Sequence, residues 1–324
     1  MTHAIRIHEY GGPEVLRFEE VELDKLGARQ VRIRQTAIGV NFIDTYERTG
    51  LYPSKLPAVL GHEAAGIVTA VGSLVTKIKP GDRVAYASNV AGAYAEQRVI
   101  DASRVVPLPA SVTEQQAAAM MLKGLTAWFL LRRCYRVRAG ESVLLHSASG
   151  GVGLIALQWA VALGTHVIAV VSSDDKAEVA RRYGAADVIV SGREDLAERV
   201  RTITKRRGVS VVYDGVGKDT FFASLDCLRP RGMMVSYGNA SGPVPPISPL
   251  ELTKRGSLYL TRPTLFHYIA KPSSLARGAS SLFEIVASGK VKLRIGQTYP
   301  LAEAAQAHRD LEARKTTGST LLIP

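Results

Sequence analysis

Cysteine is scarce: Cys134 and Cys227 are the only two in 324 residues. That is too few for a disulfide framework, and the pair leaves little with which to build a thiolate-ligated zinc centre. Long apolar runs are also missing. No stretch approaches the roughly 20 consecutive apolar residues of a membrane helix. The opening MTHAIRIHEYGGPEVL lacks the basic segment and apolar core of a secretory leader, so a soluble, cytoplasmic protein is expected. Internal repeats and low-complexity tracts are absent as well. The chain carries a net charge of +12, yet its basic residues are scattered, as at Arg132-Arg133 and Lys205-Arg206-Arg207. No basic motif interleaved with aromatics accompanies them, which argues for a solvated basic surface rather than a nucleic-acid site. A field of that sign also suits an anionic cofactor.

Hydrophobic residues make up 46% and charged residues 22%, enough apolar material for a real core. The length exceeds one typical domain, so two domains sharing a cleft are expected. To about residue 122, β-type runs (Val31–Arg34, Ala64–Val71, Asp82–Tyr86) alternate with turns such as Gly11-Gly12-Pro13 and Lys79-Pro80-Gly81-Asp82. This is the texture of an irregular β-barrel, followed by a helix over Gln115–Leu131. From Glu141 the rhythm becomes strand, helix, strand, helix. Strands are predicted at Ser142–His146, Val167–Val171, Val188–Val190, Val209–Asp214, Met233–Tyr237 and Ser257–Thr261, with helices at Leu154–Leu163 and Ala177–Tyr183. Such alternation predicts a doubly wound parallel sheet of the α/β class. After about 265 come a helix, Ser273–Ser288, and a short run, Leu321–Ile323, expected to return to the first domain.

The first predicted strand of that sheet runs into Ala148-x-Gly150-x-x-Gly153 and then a helix, the context a dinucleotide-binding loop requires. Gly150 and Gly151 would let the backbone approach a pyrophosphate, and Gly153 would permit close packing of helix on strand. Alanine stands where the fingerprint has its first glycine. The second strand ends in Ser172-Ser173-Asp174-Asp175-Lys176. The hydroxyls and Lys176 favour NADPH, because a lysine can pair with its 2′-phosphate. Asp174 and Asp175 argue the other way if they face the ribose, unless they simply begin the next helix.

Gly61-His62-Glu63-Ala64-Ala65-Gly66 resembles the segment that holds a catalytic zinc ligand in alcohol dehydrogenases. A zinc site of that class needs thiolates beside the histidine. Neither cysteine lies in the β-rich region, and Gly39-Val40-Asn41-Phe42-Ile43-Asp44 has none at the expected place. No metal is therefore expected, and His62 reads as a turn residue. Without a Lewis acid an alcohol is a poor hydride donor, which leaves acceptors electrophilic by themselves, such as quinones and conjugated enones.

The whole chain resembles the zinc-independent branch of the medium-chain dehydrogenase/reductases, the NADPH:quinone oxidoreductases of the zeta-crystallin type. The stretches that carry the resemblance are Gly11–Leu16, Ala37–Tyr46, Leu122–Thr126, Gly150–Gly153, Val212–Asp214, Gly256–Tyr259 with Thr261–Pro263, and Gly318–Pro324. The resemblance implies a chaperonin-10-like barrel from residues 1–122 with 265–324, a Rossmann domain from 123–264, and a homodimer joined through Rossmann sheet edges. It implies cofactor contacts at Asn41, Phe42, Ile43, Asp44, Thr45 and Tyr46, at Phe129, and at Gly151 and Val152 beside Gly150 and Gly153. Further contacts are implied at Ser172, Ser173, Asp174, Asp175 and Lys176, at Val216, at Tyr237, Gly238, Asn239 and Ala240, at Pro263, Thr264 and Leu265, and at Arg314. One departure stands out. Where the family usually offers a tyrosine after the third strand, this chain has Ser191, with Arg193 two positions later, so that contact is either weaker or rebuilt on Arg193.

Tyr46 and Tyr52 are candidate proton donors or stacking walls, and packing alone would equally explain both. Phe266, His267 and Tyr268 are candidates for the other wall. A quinone that has taken up a hydride is an anion that solvent can protonate, so no dedicated acid is demanded. The expected function is metal-free NADPH-dependent quinone reduction by positioning. The rivals are an enone or alkenal reductase and a cofactor-gated nucleic-acid binder, the latter betrayed by affinity that falls steeply with salt.

Overall fold

The computed structural model describes residues 1–324. The first stretch forms β1 (Thr2–Ile7), β2 (Arg17–Val21), β3 (Gln30–Val40), α1 (Phe42–Arg48), β4 (Ala58–Val59), β5 (Glu63–Val71), β6 (Arg83–Ala87), β7 (Gln97–Asp101), β8 (Val105–Pro107) and α2 (Glu114–Phe129). The middle stretch forms β9 (Ser142–His146), α3 (Gly151–Ala162), β10 (His166–Val171), α4 (Asp174–Arg182), β11 (Asp187–Val190), α5 (Leu196–Ile203), β12 (Val209–Asp214), α6 (Phe221–Asp226), β13 (Leu228–Ser236), α7 (Leu250–Lys254) and β14 (Tyr259–Thr261). The last consists of α8 (Leu265–Tyr268), α9 (Pro272–Ala287), β15 (Ile295–Pro300), α10 (Ala304–Glu312) and β16 (Ser319–Ile323).

Two compact units emerge. One comprises Met1–Leu125, Ile269–Phe283 and Leu293–Pro324; the other comprises Thr126–Tyr268 and Glu284–Lys292. The sequence expectation is a barrel of 1–122 with 265–324 and a Rossmann domain of 123–264; in the structure Glu284–Lys292 groups with the second unit. The reason is local: Gln158 of α3 donates from Nε2 to the Lys292 carbonyl (3.1 Å) and accepts from the Lys292 N–H (2.8 Å), tying that segment to the second unit. The helix expected over Gln115–Leu131 also differs at its end, where Leu130–Cys134 forms a π-helical turn. No helix is long and apolar enough to cross a membrane.

In the first unit a seven-stranded sheet runs β15-β16-β3-β5-β6-β8 with β7 also on β3, and a smaller sheet runs β2-β1-β4. The period-two pattern of β3 shows why it forms: Val31 and Ile33 are buried, whereas Arg34 is exposed. β16 returns antiparallel to β3, with Leu321 opposite Gly39, as the terminal apolar run required. Ile5, Ile33, Ile38, Leu60, Val84, Tyr94 and Leu322 belong to one core.

The second unit holds one sheet in the order β11-β10-β9-β12-β13-β14, with every neighbouring pair parallel. This is the doubly wound Rossmann order, reversing beside β9. Val143, Leu144 and Leu145 are buried, as a strand covered on both faces demands. α3 is apolar nearly all round and accordingly buried from Gly153 to Ala160.

Candidate functional site

The glycine loop lies between β9 and α3. Ser147, rather than a glycine, takes the left-handed turn (φ 51°), and Ala148 behind it is fully buried. The missing first glycine is thus explained: the strained position falls one residue earlier. A Cβ on Gly153 would lie 2.1 Å from the Ser147 carbonyl oxygen and 2.8 Å from the Ala148 Cα, so only glycine lets α3 pack on this turn. Gly150 is the N-cap of α3, and no side chain caps that end. The next two helices differ: Ser173 caps α4, and Asp195 caps α5. The first-turn N–H groups of α3 therefore remain available to a pyrophosphate, which the positive end of the helix dipole favours. The loop fits a dinucleotide on this observation.

The remaining expected contacts of this unit sit where a doubly wound sheet binds ligands, at the carboxyl ends of its strands. Ser172–Lys176 follow β10, Ser191 follows β11, Val216 follows β12, Tyr237–Ala240 follow β13 and Pro263–Leu265 follow β14. Buried Asp214 shapes one such end. Its Oδ1 accepts from the N–H groups of Val216 (2.7 Å) and Gly217 (3.2 Å), and its Oδ2 from the Thr220 hydroxyl (2.7 Å). At the end of β10, Lys176 donates from Nζ to Ser172 Oγ (3.2 Å). Asp174 does not stand alone: Arg193 grips both its oxygens, at 2.7 and 2.6 Å. Phe129 is buried and stacks on Tyr268, with centroids 4.5 Å apart. Tyr268 is half-buried, as is Phe266, whereas His267 is exposed.

Asn41–Tyr46 belong to the first unit, where they cap and open α1. The Asn41 N–H donates to Asp44 Oδ2 (2.8 Å), closing the first turn. Asn41 Nδ2 also donates to Glu63 Oε1 (2.9 Å), which receives Lys123 Nζ at 2.6 Å, while Glu63 Oε2 accepts from the Leu122 N–H at 2.6 Å. Gly39 makes room for this cluster, since a Cβ there would sit 2.3 Å from Glu63 Oε1. Tyr46 is nearly buried, and its ring meets Tyr52 edge-on at 5.3 Å. Arg314 is exposed just after α10, in the left-handed conformation (φ 58°).

A buried chain of ionisable groups that no local sequence pattern marks lies behind α1. The Tyr94 hydroxyl donates to Asp44 Oδ2 (2.9 Å) and lies 3.0 Å from His308 Nε2. Arg48 NH1 stands 3.1 Å from His308 Nδ1, and the guanidinium forks onto Glu312 at 3.0 and 2.7 Å. An arginine only donates, so His308 Nδ1 accepts, and its Nε2–H donates to Tyr94. Burial, reinforced by the Arg48 charge, pushes the His308 pKa down to about 3 and keeps the ring neutral. Burial likewise raises the Asp44 carboxyl to about 7, against the opposing pull of His62 and the Asn41 N–H.

His62 occupies a bend immediately before β5 and is buried. Its Nδ1 lies 2.7 Å from the Ser88 carbonyl oxygen and its Nε2 2.8 Å from Glu47 Oε1. Both partners are acceptors, so the ring is held as a donor on both sides rather than with a lone pair aimed at a metal. Burial opposes its protonation, but Glu47 and Asp44 outweigh it and raise its pKa.

Residues 27–110 match the model of the alcohol dehydrogenase GroES-like domain, and residues 151–271 match that of the zinc-binding dehydrogenases. The second description is broader than this chain. Within 151–271 the one cysteine is Cys227, whose thiol burial pushes up to about 12, far from a metal-ready thiolate. The chain is 51% identical to a quinone oxidoreductase of Pseudomonas aeruginosa, with 100% of both chains covered. It is 45% identical to a 2-haloacrylate reductase of a Burkholderia species, covering 100% of this chain and 99% of that one. The crystal structure of Escherichia coli quinone oxidoreductase complexed with NADPH matches at a TM-score of 0.98 and 49% identity, over 99% of this chain and 100% of that one.

Proposed function

The chain belongs to the quinone oxidoreductase family of the medium-chain dehydrogenase/reductases, and we propose that it reduces quinones with NADPH, by hydride transfer without a metal. Two observations carry the reading: a full-length relative at 51% identity is a quinone oxidoreductase, and the glycine loop here opens an uncapped helix that fits a dinucleotide. NADPH, when bound, supplies the hydride. The first turn of α3 would hold the pyrophosphate, and Ser172, Ser173 and Lys176 the 2′-phosphate. Val216, Tyr237–Ala240 and Pro263–Leu265 would meet the rest of the cofactor, joined by Asn41–Tyr46, Phe129 and Arg314. Tyr46 and Tyr52, packed edge to face, are proposed to wall the acceptor, with solvent completing protonation. No group of His, Cys, Asp and Glu side chains is arranged to hold a metal ion, which supports an acceptor that is electrophilic by itself. Purified protein is expected to lack stoichiometric zinc and to keep its activity in chelator; an equivalent of tightly bound zinc, lost together with activity, would overturn that part.

The direct test is NADPH oxidation against a panel of quinones, conjugated enones and haloacrylates. Turnover with quinones supports the reading. The 45% identity to a 2-haloacrylate reductase favours one second reading, reduction of a conjugated carbon–carbon double bond, which turnover confined to the enone and haloacrylate members would establish instead. We further propose a cytoplasmic homodimer joined at β14, an open sheet edge that exposes Tyr259 and Leu260. Tyr259→Lys should then shift the sedimentation of the protein toward the monomer.

A further inference from the structure

We propose that Arg193 reads the 2′-phosphate of NADPH in this chain, and that Asp174 is a built-in competing anion which the phosphate must displace. The inference rests on the NADPH reading above and adds a specificity device to it. It starts from the departure noted in the sequence, Ser191 with Arg193 two residues on. β10 and β11 are parallel neighbours, and the Ser191 N–H donates to the Val171 carbonyl (2.8 Å), so the two strand ends lie side by side. The Gly192 turn (φ 83°) follows, and the Arg193 side chain then reaches across to the first residue of α4.

The contact it makes there is a fork on a fork: NH1 to Asp174 Oδ1 and NH2 to Asp174 Oδ2. A guanidinium offers the same paired donors to two phosphate oxygens. Lys176 and Ser172 stand on the same strand end, already joined at 3.2 Å, and Ser173 caps α4 by accepting from the Lys176 N–H (3.4 Å). Two cations, two hydroxyls and a helix start therefore converge where the adenosine ribose of a dinucleotide belongs. Asp174 lies where an NAD-binding chain would use a carboxylate for the ribose hydroxyls, but here both its oxygens are engaged by Arg193, which holds its carboxyl below the usual range.

The pair is exposed, with side chains 58% and 65% accessible, so it is exchangeable rather than structural. A phosphate dianion with three oxygens outcompetes one carboxylate for the same fork. NADH brings no such competitor, so the pair stays closed and Arg193 contributes nothing to its affinity. Two variants should then move in opposite directions. Arg193→Ala removes a cation and also unmasks the Asp174 charge, so NADPH should bind about tenfold to a hundredfold more weakly. Asp174→Asn removes the competitor, so NADPH should bind about threefold to tenfold more tightly. NADH should change less than about twofold in both.

Calorimetric titration of the folded variants with NADPH, NADH, 2′,5′-ADP and 5′-AMP tests this without any turnover. The expected result is that the changes follow the 2′-phosphate: present with NADPH and 2′,5′-ADP, absent with NADH and 5′-AMP. If wild type prefers NADPH but Arg193→Ala leaves the NADPH-to-NADH ratio unchanged, the proposal fails while the NADPH reading stands. If Asp174→Asn weakens NADH and NADPH alike, Asp174 holds the ribose and the proposal is overturned. A wild type that fails to prefer NADPH overturns the cofactor reading itself.

Discussion

The two units handle charge in opposite ways. At the ends of β10 and β11 in the Rossmann unit the charged groups are on the surface: Asp174, Arg193 and Lys176 stand at least partly in solvent beside a loop that works through backbone N–H groups. In the barrel unit, ionisable groups are buried around α1: Glu63 and Arg48 have almost no exposure, nor do Asp44 and the neutral His308. Exposed charges can be exchanged for those of a ligand at small cost, whereas buried ones hold each other in place and punish any vacancy. The first arrangement suits a site that must bind and release an anionic cofactor. The second suits a scaffold that must hold α1, and the segment Asn41–Tyr46 on it, in one geometry.

The sharpest way to break the comparison is to vacate one partner of the buried pair. Lys123→Met leaves Glu63 with its Asn41 and Leu122 hydrogen bonds but no countercharge. It should cost about 3–5 kcal/mol of stability, read from urea unfolding, and the double variant with Glu63→Gln should recover part of that loss. A loss below about 1 kcal/mol would mean that the pair is not sealed from water. In the Rossmann unit the corresponding blow falls on binding rather than stability. Gly151→Asp places a carboxylate in the first turn of α3, where the phosphates approach. NADPH affinity should fall on the order of a hundredfold while the fold survives, and an unchanged titration would show that the loop has another purpose.

These contrasts also explain what the sequence made legible. β9 and β12 are legible to the residue because strands covered on both faces are rich in apolar residues, Val143–Leu145 and Val211–Tyr213 here. The glycine loop was recognisable because its meaning depends on its neighbours in sequence, a strand before and a helix after. The buried chain behind α1 offered no such signal: Arg48 meets His308 and Glu312 across some 260 residues, and nothing local marks a histidine as neutral or an arginine as buried. α1 itself, seven residues long, was too short for a periodic pattern, although the Asn41-x-x-Asp44 spacing that closes its first turn stood in plain view. The Asp174–Arg193 pair was half visible. Both residues bear on the 2′-phosphate question in the sequence, but only the adjacency of β10 and β11 brings them together.

Within the buried chain, two groups should pull stability in opposite directions with pH. Asp44 rises from 3.8 to about 7 on folding, so its contribution is complete below about pH 3.8 and is lost as the pH climbs toward 7. His308 falls from 6.5 to about 3, so its contribution is complete above about pH 6.5 and is lost as the pH drops toward 3. Over the shared window the two oppose each other. Asp44→Asn leaves the His308 effect exposed and should steepen the loss of stability toward acid. His308→Gln should do the reverse and make stability fall as pH rises. Each slope can reach about 1.4 kcal/mol per pH unit, measurable as urea midpoints at several pH values. Slopes of the same sign in the two variants would refute the coupling described.

The smallest effect belongs to Lys176, and it bears most directly on the contrast between exposed and buried charge. Its ammonium rests on Ser172 at the end of β10, half-buried, as a point charge rather than a fork. If it faces the 2′-phosphate, Lys176→Ala should weaken NADPH by about threefold to tenfold and leave NADH nearly unchanged. Added salt separates this from the barrel effects. A partly exposed contact is screened over roughly 8–10 Å at moderate ionic strength, so the NADPH penalty should shrink as salt rises. The stability lost in Lys123→Met, set in a buried pair 2.6 Å apart, should hardly respond. Equal losses for both cofactors would assign Lys176 to the shared pyrophosphate or to the fold. A penalty for NADPH that persists undiminished in salt would mean that this strand end is as sealed as the barrel interior, and the division of labour between the two units would fall with it.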